Sequence, residues 1–294
     1  MDVGELITID WGTTNRRIFA FDSAGKTSLR QADALGVTAV AAGGFQAIID
    51  DLRAVHGDRL FLLAGMIGSN RGWVEAPYIP CPLSLDDLVS RLEWVEPGRT
   101  AIVPGACITD GARVDVMRGE EVQLLGAAAA GLVPADVGLC HPGTHAKWAE
   151  LKDGALVNFR TVMTGELFAL LRAHSLLAAQ MKGDAVDGPA FREGVARGFD
   201  DRALTADLFG TRARILLGRL EPDDAASYVS GLLIGADIAI GVDMVPPGTI
   251  ALIGDLRLTA LYAAALKVVG RETLEVDGET AFLAGIKAIA EKLA

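Results

Sequence analysis

The chain has 294 residues, 51% of them apolar, which is long enough for two domains with sizeable cores. Its 27 Lys and Arg stand against 38 Asp and Glu, a net charge of −11. That balance, with no basic run, excludes a nucleic-acid binder, because phosphate backbones demand clustered Lys and Arg. The opening MDVGELITID has no basic region followed by an apolar one, so no signal peptide is expected.

Leu6 to Asp10 reads as a strand, Gly12 to Asn15 as a tight polar turn and Arg17 to Phe21 as a second strand. Gly25-Lys26-Thr27 resembles the close of a P-loop, but the glycine required five places earlier is Ala20, inside a strand. Asp22-Ser23-Ala24-Gly25-Lys26 therefore reads as a hairpin turn. Gly12, Thr13 and Thr14 can offer N–H groups and hydroxyls to a phosphate. Asp10, at the end of the first strand, can hold Mg²⁺. Its plain alternative is an Asp that caps its own turn.

Further along, Gly44 to Val55 reads as a helix and Leu60 to Ala64 as a buried strand, leading into a glycine-rich loop from Gly65 to Trp73. Thr100 to Val103 is a strand and Glu120 to Gly131 a helix, with Pro134 beyond its end. Then the opening unit repeats. Val137 to Trp148 is again strand, Gly-Thr turn and strand, and Lys152-Asp153-Gly154 leads to a third strand from Ala155 to Val162. Aligning Gly12 with Gly143 puts Thr13 on Thr144 and Asp10 on His141, so the metal is assigned to the first copy only. An internal repeat is a fold-level signal. Two such hairpins, one per domain, could clamp a nucleotide in a cleft between the domains.

Helices follow at Gly165 to Gln180 and Ala225 to Val242, then a strand from Thr249 to Ile253 and a helix from Leu258 to Val269. The most apolar stretch, Gly231 to Val242, is interrupted by Asp237, which suits a buried helix rather than a membrane span. The last helix, Thr280 to Ala294, begins with a small-residue face at Ala281, Ala284, Gly285 and Ala288, suited to close packing at a domain junction. Cys81, Cys107 and Cys140 are scattered, which fits a reduced cytoplasm and no metal cluster. Strands precede helices in both halves, so the class is α/β.

The motifs resemble those of the sugar-kinase, actin and heat-shock-chaperone superfamily, and within it the 2-dehydro-3-deoxygalactonokinase family. The resemblance rests on Asp10 to Arg17, Ala64 to Ser69 with Gly72-Trp73 and Ala76-Pro77-Tyr78, Met117 to Gln123, Pro142 to Trp148, and Thr161 to Leu167. It implies two actin-like (ribonuclease H-like) domains with a nucleotide cleft between them, divided here as 1–118 and 119–294. It also implies ATP-dependent phosphorylation of the terminal hydroxyl of 2-dehydro-3-deoxy-D-galactonate, with Mg²⁺. The partners expected are a small sugar acid and ATP, without nucleic acid or membrane. The oligomeric state is open, a homodimer being one option.

Phosphoryl transfer needs a phosphate cradle, Mg²⁺ and a positioned hydroxyl, usually with an acid to accept its proton. The resemblance makes Gly12, Thr13 and Thr14 the first phosphate turn, and Gly143, Thr144 and His145, with Lys147, the second. Glu120, near the start of the helix that leaves the sugar site, is the chosen base, and Glu121 and Asp115 are the alternatives. Neighbouring helical residues point about 100° apart, so at most one of the two Glu should reach substrate. Asn15, Arg17, Ser69, Trp73, Tyr78, Arg118, Thr164 and Glu166 are candidates for the sugar acid. Thr164 is equally readable as a plain helix cap, and Trp73 as core. Gly254 is assigned to adenosine, although Asp255-Leu256-Arg257 replaces the small residues that superfamily members tend to place there. The alternatives in function are a kinase for a related 2-keto-3-deoxy sugar acid of different epimer preference, an actin-like ligand-binding regulator without turnover, or an exopolyphosphatase-like hydrolase.

Overall fold

The computed structural model describes residues 6–22, 24–111, 113–201 and 203–293. Ser23 of the expected hairpin turn, the opening MDVGE and Ala294 of the expected last helix lie outside them. The chain forms two compact units. The first contains the residues up to Ala135, Asp153–Val157 and those from Glu279 onward, and the second contains Asp136–Lys152 and Asn158–Gly278.

In the first unit, β1 (Leu6–Trp11), β2 (Arg16–Phe21) and β3 (Thr27–Asp33) form an antiparallel meander. The helix α1 (Phe45–His56) leads into β4 (Leu60–Gly65), which pairs parallel with β1. Next come β5 (Tyr78–Pro80), α2 (Leu85–Ser90), β6 (Glu93–Glu96), β7 (Thr100–Ile102), β8 (Gly105–Asp110), β9 (Arg113–Met117) and α3 (Glu120–Ala129). The main sheet has the order β3-β2-β1-β4-β7-β6, and β5-β8-β9 form a small sheet of their own. Alternation along β1 and β2 sends Ile7, Ile9, Trp11, Ile18 and Ala20 into one core with Phe45 and Ile49 of α1.

The second unit repeats the plan. β10 (Val137–His141) pairs antiparallel with β11 (Ala146–Lys152), β12 (Ala155–Val162) follows, and β13 (Ile250–Gly254) pairs parallel with β10. Its sheet runs β12-β11-β10-β13-β14, and its first four places match β3-β2-β1-β4. The helices are α4 (Thr164–His174), α5 (Pro189–Asp201), α6 (Leu204–Leu216), α7 (Ala225–Val242) and α8 (Leu256–Val268); β14 (Thr273–Asp277) and α9 (Gly278–Leu293) close the chain. The span Pro222–Val242 is long and apolar enough to cross a membrane, and 83% of its most apolar window is buried inside the protein.

Glycines let several helices touch backbone to backbone. A Cβ on Gly194 of α5 would lie 2.3 Å from Tyr228 O, and one on Gly231 of α7 would lie 2.1 Å from Phe191 O. The same device joins α3 to α9. A Cβ on Gly126 would meet Gly285 N at 2.3 Å, and one on Gly285 would meet Val122 O at 2.1 Å. The compact units part after Ala135, where the sequence reading divides the chain after Arg118, and α3 and most of α9 fall in the same unit. The small-residue face of the last helix serves that same contact. Two other expectations shift. The helix from Gly165 stops at His174, where the Ser175 hydroxyl donates back to Leu171 O at 2.6 Å. The hairpin β8–β9 and the helices α5 and α6 were not anticipated.

The α3–α9 contact can be tested with Gly285→Ala. In an open helix this change stabilises by about 1 kcal/mol. Here the added methyl enters the α3 backbone, and overpacking costs about 1–3 kcal/mol. Denaturant unfolding should therefore show a loss of stability rather than a gain.

Candidate active site

The first turn is tied down through its carbonyls. Gly12 O accepts from Val37 N–H at 3.0 Å, Thr13 O from Thr38 N–H at 3.2 Å, and Thr14 O from Gly36 N–H at 3.1 Å. Gly36 has no room for a side chain, since its Cβ would fall 2.3 Å from Thr13 O. Thr13, Thr14 and Asn15 stay exposed, and Asn15 Nδ2 reaches Thr14 Oγ1 at 3.3 Å. Trp11, beneath the turn, is fully buried, and its indole donates to Leu35 O at 2.7 Å.

Asp10 faces Arg17 across the β1–β2 pair, and both Nε and Nη2 of Arg17 donate to Asp10 Oδ2. Arg17 is thus engaged with the acid of the first turn. The other oxygen, Oδ1, lies on the side of Gly65, whose Cβ would come 3.4 Å from it. Gly65 (φ +91°) in turn abuts Gly119 (φ +104°), with 3.1 Å between a Cβ on Gly119 and the Gly65 Cα. The start of α3 therefore sits beside Asp10, and a Cβ on Gly65 would itself fall 2.9 Å from Trp11 O.

The two glutamates of α3 differ sharply. Glu121 is fully buried and turns back so that both carboxylate oxygens accept from Gly119 N–H at 2.8 Å. Burial pushes its carboxyl up to about 8, with the Glu120 charge adding to the rise and the Gly119 N–H opposing it. Glu120 is half-buried, and its Oε2 accepts from Arg118 N–H at 3.2 Å. Asp115 lies on β9, on the strand face it shares with Arg113 and Met117.

Arg118 is 8% exposed. Its Nη2 donates to Ala76 O at 2.8 Å, and its guanidinium lies 4.1 Å from the Tyr78 ring centre. Its Nε and Nη1 are buried without a hydrogen-bond partner. Ser69 is buried and shapes its own loop, donating to Met66 O at 2.7 Å and accepting from Arg71 N–H at 3.2 Å. Trp73 packs against the core of the first unit, and Tyr78 is 38% exposed.

In the second unit, Thr144 O accepts from Glu166 N–H at 2.9 Å and His145 O from Lys147 Nζ at 3.0 Å. Lys147 is 4% exposed, a buried brace rather than an exposed strand residue. The His145 and Glu166 side chains meet at 2.5 Å. Thr164 lies inside the first turn of α4, after Met163 at the cap position, and its hydroxyl donates to Asp237 Oδ2 at 2.6 Å, so it is not the cap. Gly165 abuts the turn, with 2.6 Å between its would-be Cβ and Gly143 O. Gly254 (φ +155°) stands 3.4 Å from Pro142 O by the same measure, and Asp255 caps α8 through the Arg257 and Leu258 N–H groups.

Beside this turn lies a cavity of about 700 Å³. Phe168, Leu233, Ile234 and Leu261 give it apolar walls, Gly143, Thr164 and Tyr262 reach it from the turn side, and Asp184, Arg172 and Arg257 supply charge. Sequence reasoning missed Asp237, Tyr262 and Gly36. A lone acid in the most apolar helix was the available signal for Asp237, since such groups are seldom buried without partners.

Among the described residues, no group of three or more His, Cys, Asp or Glu side chains could hold a metal ion. A single hard carboxylate oxygen at Asp10, on a side kept open by glycine, still suits a Mg²⁺ that takes its remaining ligands from phosphates and water.

Comparison with known proteins accords with this geometry. The profile of the 2-keto-3-deoxy-galactonokinase family matches residues 10–289. The 2-dehydro-3-deoxygalactonokinase of Escherichia coli (strain K12) is 38% identical over 291 residues, covering 98% of each chain. A crystal structure from Sinorhizobium meliloti, provisionally assigned the same activity, superposes with a TM-score of 0.92 at 34% identity, covering 98% of this chain and 99% of that one. Component A of the Acidaminococcus fermentans (R)-2-hydroxyglutaryl-CoA dehydratase shares the fold alone, with a TM-score of 0.53 at 12% identity over 98% of both chains. The fold is the two-domain actin-like fold of sugar kinases, and the chain belongs to the 2-keto-3-deoxy-galactonokinase family.

Proposed function

We propose that the protein is an ATP-dependent kinase that phosphorylates the terminal hydroxyl of 2-dehydro-3-deoxy-D-galactonate. Membership of the family supports the activity. The structural observation that carries the reading is the glycine contact that sets the start of α3 beside Asp10 at the first turn. It brings a candidate metal carboxylate and a candidate proton acceptor to one place, as transfer to a hydroxyl requires.

The roles follow from the chemistry. Thr13 and Thr14 in the first unit, and Gly143, Thr144 and His145 in the second, offer donors to the phosphates of ATP, while Gly12 closes the first turn by donating its N–H to Asn15 O at 2.9 Å. Lys147 braces the second turn, and Glu166 orients the His145 ring. Asp10 would hold Mg²⁺ through Oδ1, and the ion would neutralise charge on the phosphates. Arg17 orients Asp10, and Asn15 stands at the edge of the turn. The cavity beside Gly143 suits adenosine, with apolar walls for the base and Gly254 allowing Pro142 close approach. Arg118 is the group for the substrate carboxylate, since its fork has two unpartnered N–H directions and a bidentate match to that anion. Ser69, Trp73 and Tyr78 shape the loop beside it. The unpaired state of Cys81, Cys107 and Cys140 fits a reducing cytoplasm, where we place the enzyme.

Glu120 serves as the base. It is partly exposed beside the first turn, whereas Glu121 is sealed and carries its proton at neutral pH. One observation favours Glu121 instead, because a carboxyl tuned to about 8 is of the kind that acid–base catalysis uses.

A coupled ADP-release assay over a panel of 2-keto-3-deoxy sugar acids tests the activity. Release should be greatest with the galactonate compound, and no release with any member would defeat the kinase reading. Glu120→Gln should lower kcat by roughly 10²–10⁴ with little change in KM for the sugar acid. A severe kcat defect in Glu121→Gln beside a normal Glu120→Gln would move the base one residue along.

The same Glu121→Gln variant makes a pH prediction. The folded value is raised from 4.5 to about 8. Its contribution to stability is therefore complete below about pH 4.5 and lost as pH rises through 8. Wild-type melting temperature should fall over that window, and the glutamine variant should fall less.

Arg118→Lys keeps the charge and loses the planar fork. KM for the sugar acid should rise about ten- to a hundredfold, while KM for ATP stays within about twofold. Equal changes in both constants would remove Arg118 from carboxylate recognition.

A further inference from the structure

Asp237 is a carboxylate inside the most apolar helix of the chain, and no role described above uses it. It is 1% exposed. Its Oδ1 accepts the Trp148 indole N–H at 2.6 Å, and its Oδ2 accepts the Thr164 hydroxyl at 2.6 Å and the Tyr262 hydroxyl. All three donors are themselves buried. Burial drives the Asp237 carboxyl above the usual carboxylate range, and the three donors pull it back.

Each donor belongs to a different element, and each element builds the same half-site. Trp148 lies on β11, the strand that leaves the second turn. Its ring rests on Gly241 of α7, where a Cβ would come within 1.9 Å, so it cannot retreat toward the helix. Thr164 opens α4. The two residues after it hold the turn, Gly165 by backbone contact with Gly143 and Glu166 by its N–H on Thr144 O. Tyr262 comes from α8 and, like Thr164, lines the cavity beside the turn. One carboxylate thus fixes the outgoing strand, the helix that buttresses the turn and one wall of the cavity.

We propose that Asp237 is a positioning residue for nucleotide binding, holding the Gly143–Thr144 turn, the start of α4 and the Tyr262 wall in one arrangement without touching either substrate. The assignment rests on the reading that the second unit receives ATP. Removing the acceptor leaves buried hydroxyl and indole donors unsatisfied, which loosens the three elements together. The first unit, with Arg118 and Glu120, is untouched.

The test uses the full chain with Asp237→Leu, Asp237→Asn and Thr164→Val. ATP affinity is measured by calorimetry, both KM values by steady-state kinetics, and folding by thermal melting. Asp237→Leu and Thr164→Val should weaken ATP binding about tenfold or more, with KM for the sugar acid within about twofold. Asp237→Asn still accepts from Trp148 and can donate to a hydroxyl oxygen, so it should recover most of the affinity. If Asp237→Leu does not fold, Thr164→Val decides. A folded Thr164→Val with wild-type ATP affinity overturns the assignment, as do equal losses for both substrates, the mark of a merely structural role. Failure of the wild-type protein to bind ATP would instead overturn the nucleotide reading, and this assignment with it.

Discussion

Both turns are organised by a commitment of backbone carbonyls to the protein. In the first, Gly12, Thr13 and Thr14 each give their oxygen to an N–H of the segment 36–38. In the second, Thr144 gives its oxygen to Glu166 N–H and His145 to Lys147. A peptide unit carries its N–H opposite its C=O, so a turn whose oxygens are drawn inward presents donors outward. That polarity suits anions, and it arises without a P-loop or a run of basic residues. In both, N–H groups at the start of a helical segment take the turn's oxygens, a 3-10 turn at Val37–Ala39 in one unit and α4 in the other.

Close approach is the common condition. The segment 36–38 reaches the first turn because Gly36 has no Cβ, and α4 reaches the second because Gly165 has none. The same rule governs larger pieces. The α5–α7 and α3–α9 pairs meet through glycines on both helices, at distances that any side chain would prohibit. Backbones held this close transmit position well, since packed interiors leave little slack. Gly119 against Gly65 does for the start of α3 what Gly165 against Gly143 does for the start of α4.

Much of this was legible in the residues. Period-two alternation and turn chemistry give the paired hairpins, and the repeat of Gly12-Thr13 at Gly143-Thr144 gives the duplicated plan. The β8–β9 hairpin was hidden because Val114 and Val116 are exposed at 81% and 50%, so the strand lacks a clean apolar-in pattern. The α3–α9 contact was hidden because helix contacts through glycine carry no hydrophobic signature. The glutamates of α3 could be separated by helical geometry, but which of them is sealed depends on packing that spacing alone does not describe. Arg17 and Thr164 read as ligand groups because nothing nearby in sequence reveals that Asp10 and Asp237 take them.

The charges of the two units divide the chemistry. The first gathers carboxylates, with Asp10 held in place by Arg17 and Glu120 beside a Glu121 that burial keeps protonated. Two adjacent ionised carboxylates would repel each other and the phosphates alike. Neutralising one by burial removes part of that repulsion. In the second unit Asp237 is sealed behind Trp148, Thr164 and Tyr262, while His145 meets Glu166 at the turn and Lys147 braces it from within. A chain with net charge −11 must bring a polyanionic nucleotide and an anionic sugar acid together. Glu121 is sealed by burial and Asp237 by its three donors, so neither of these carboxylates stands open to those anions.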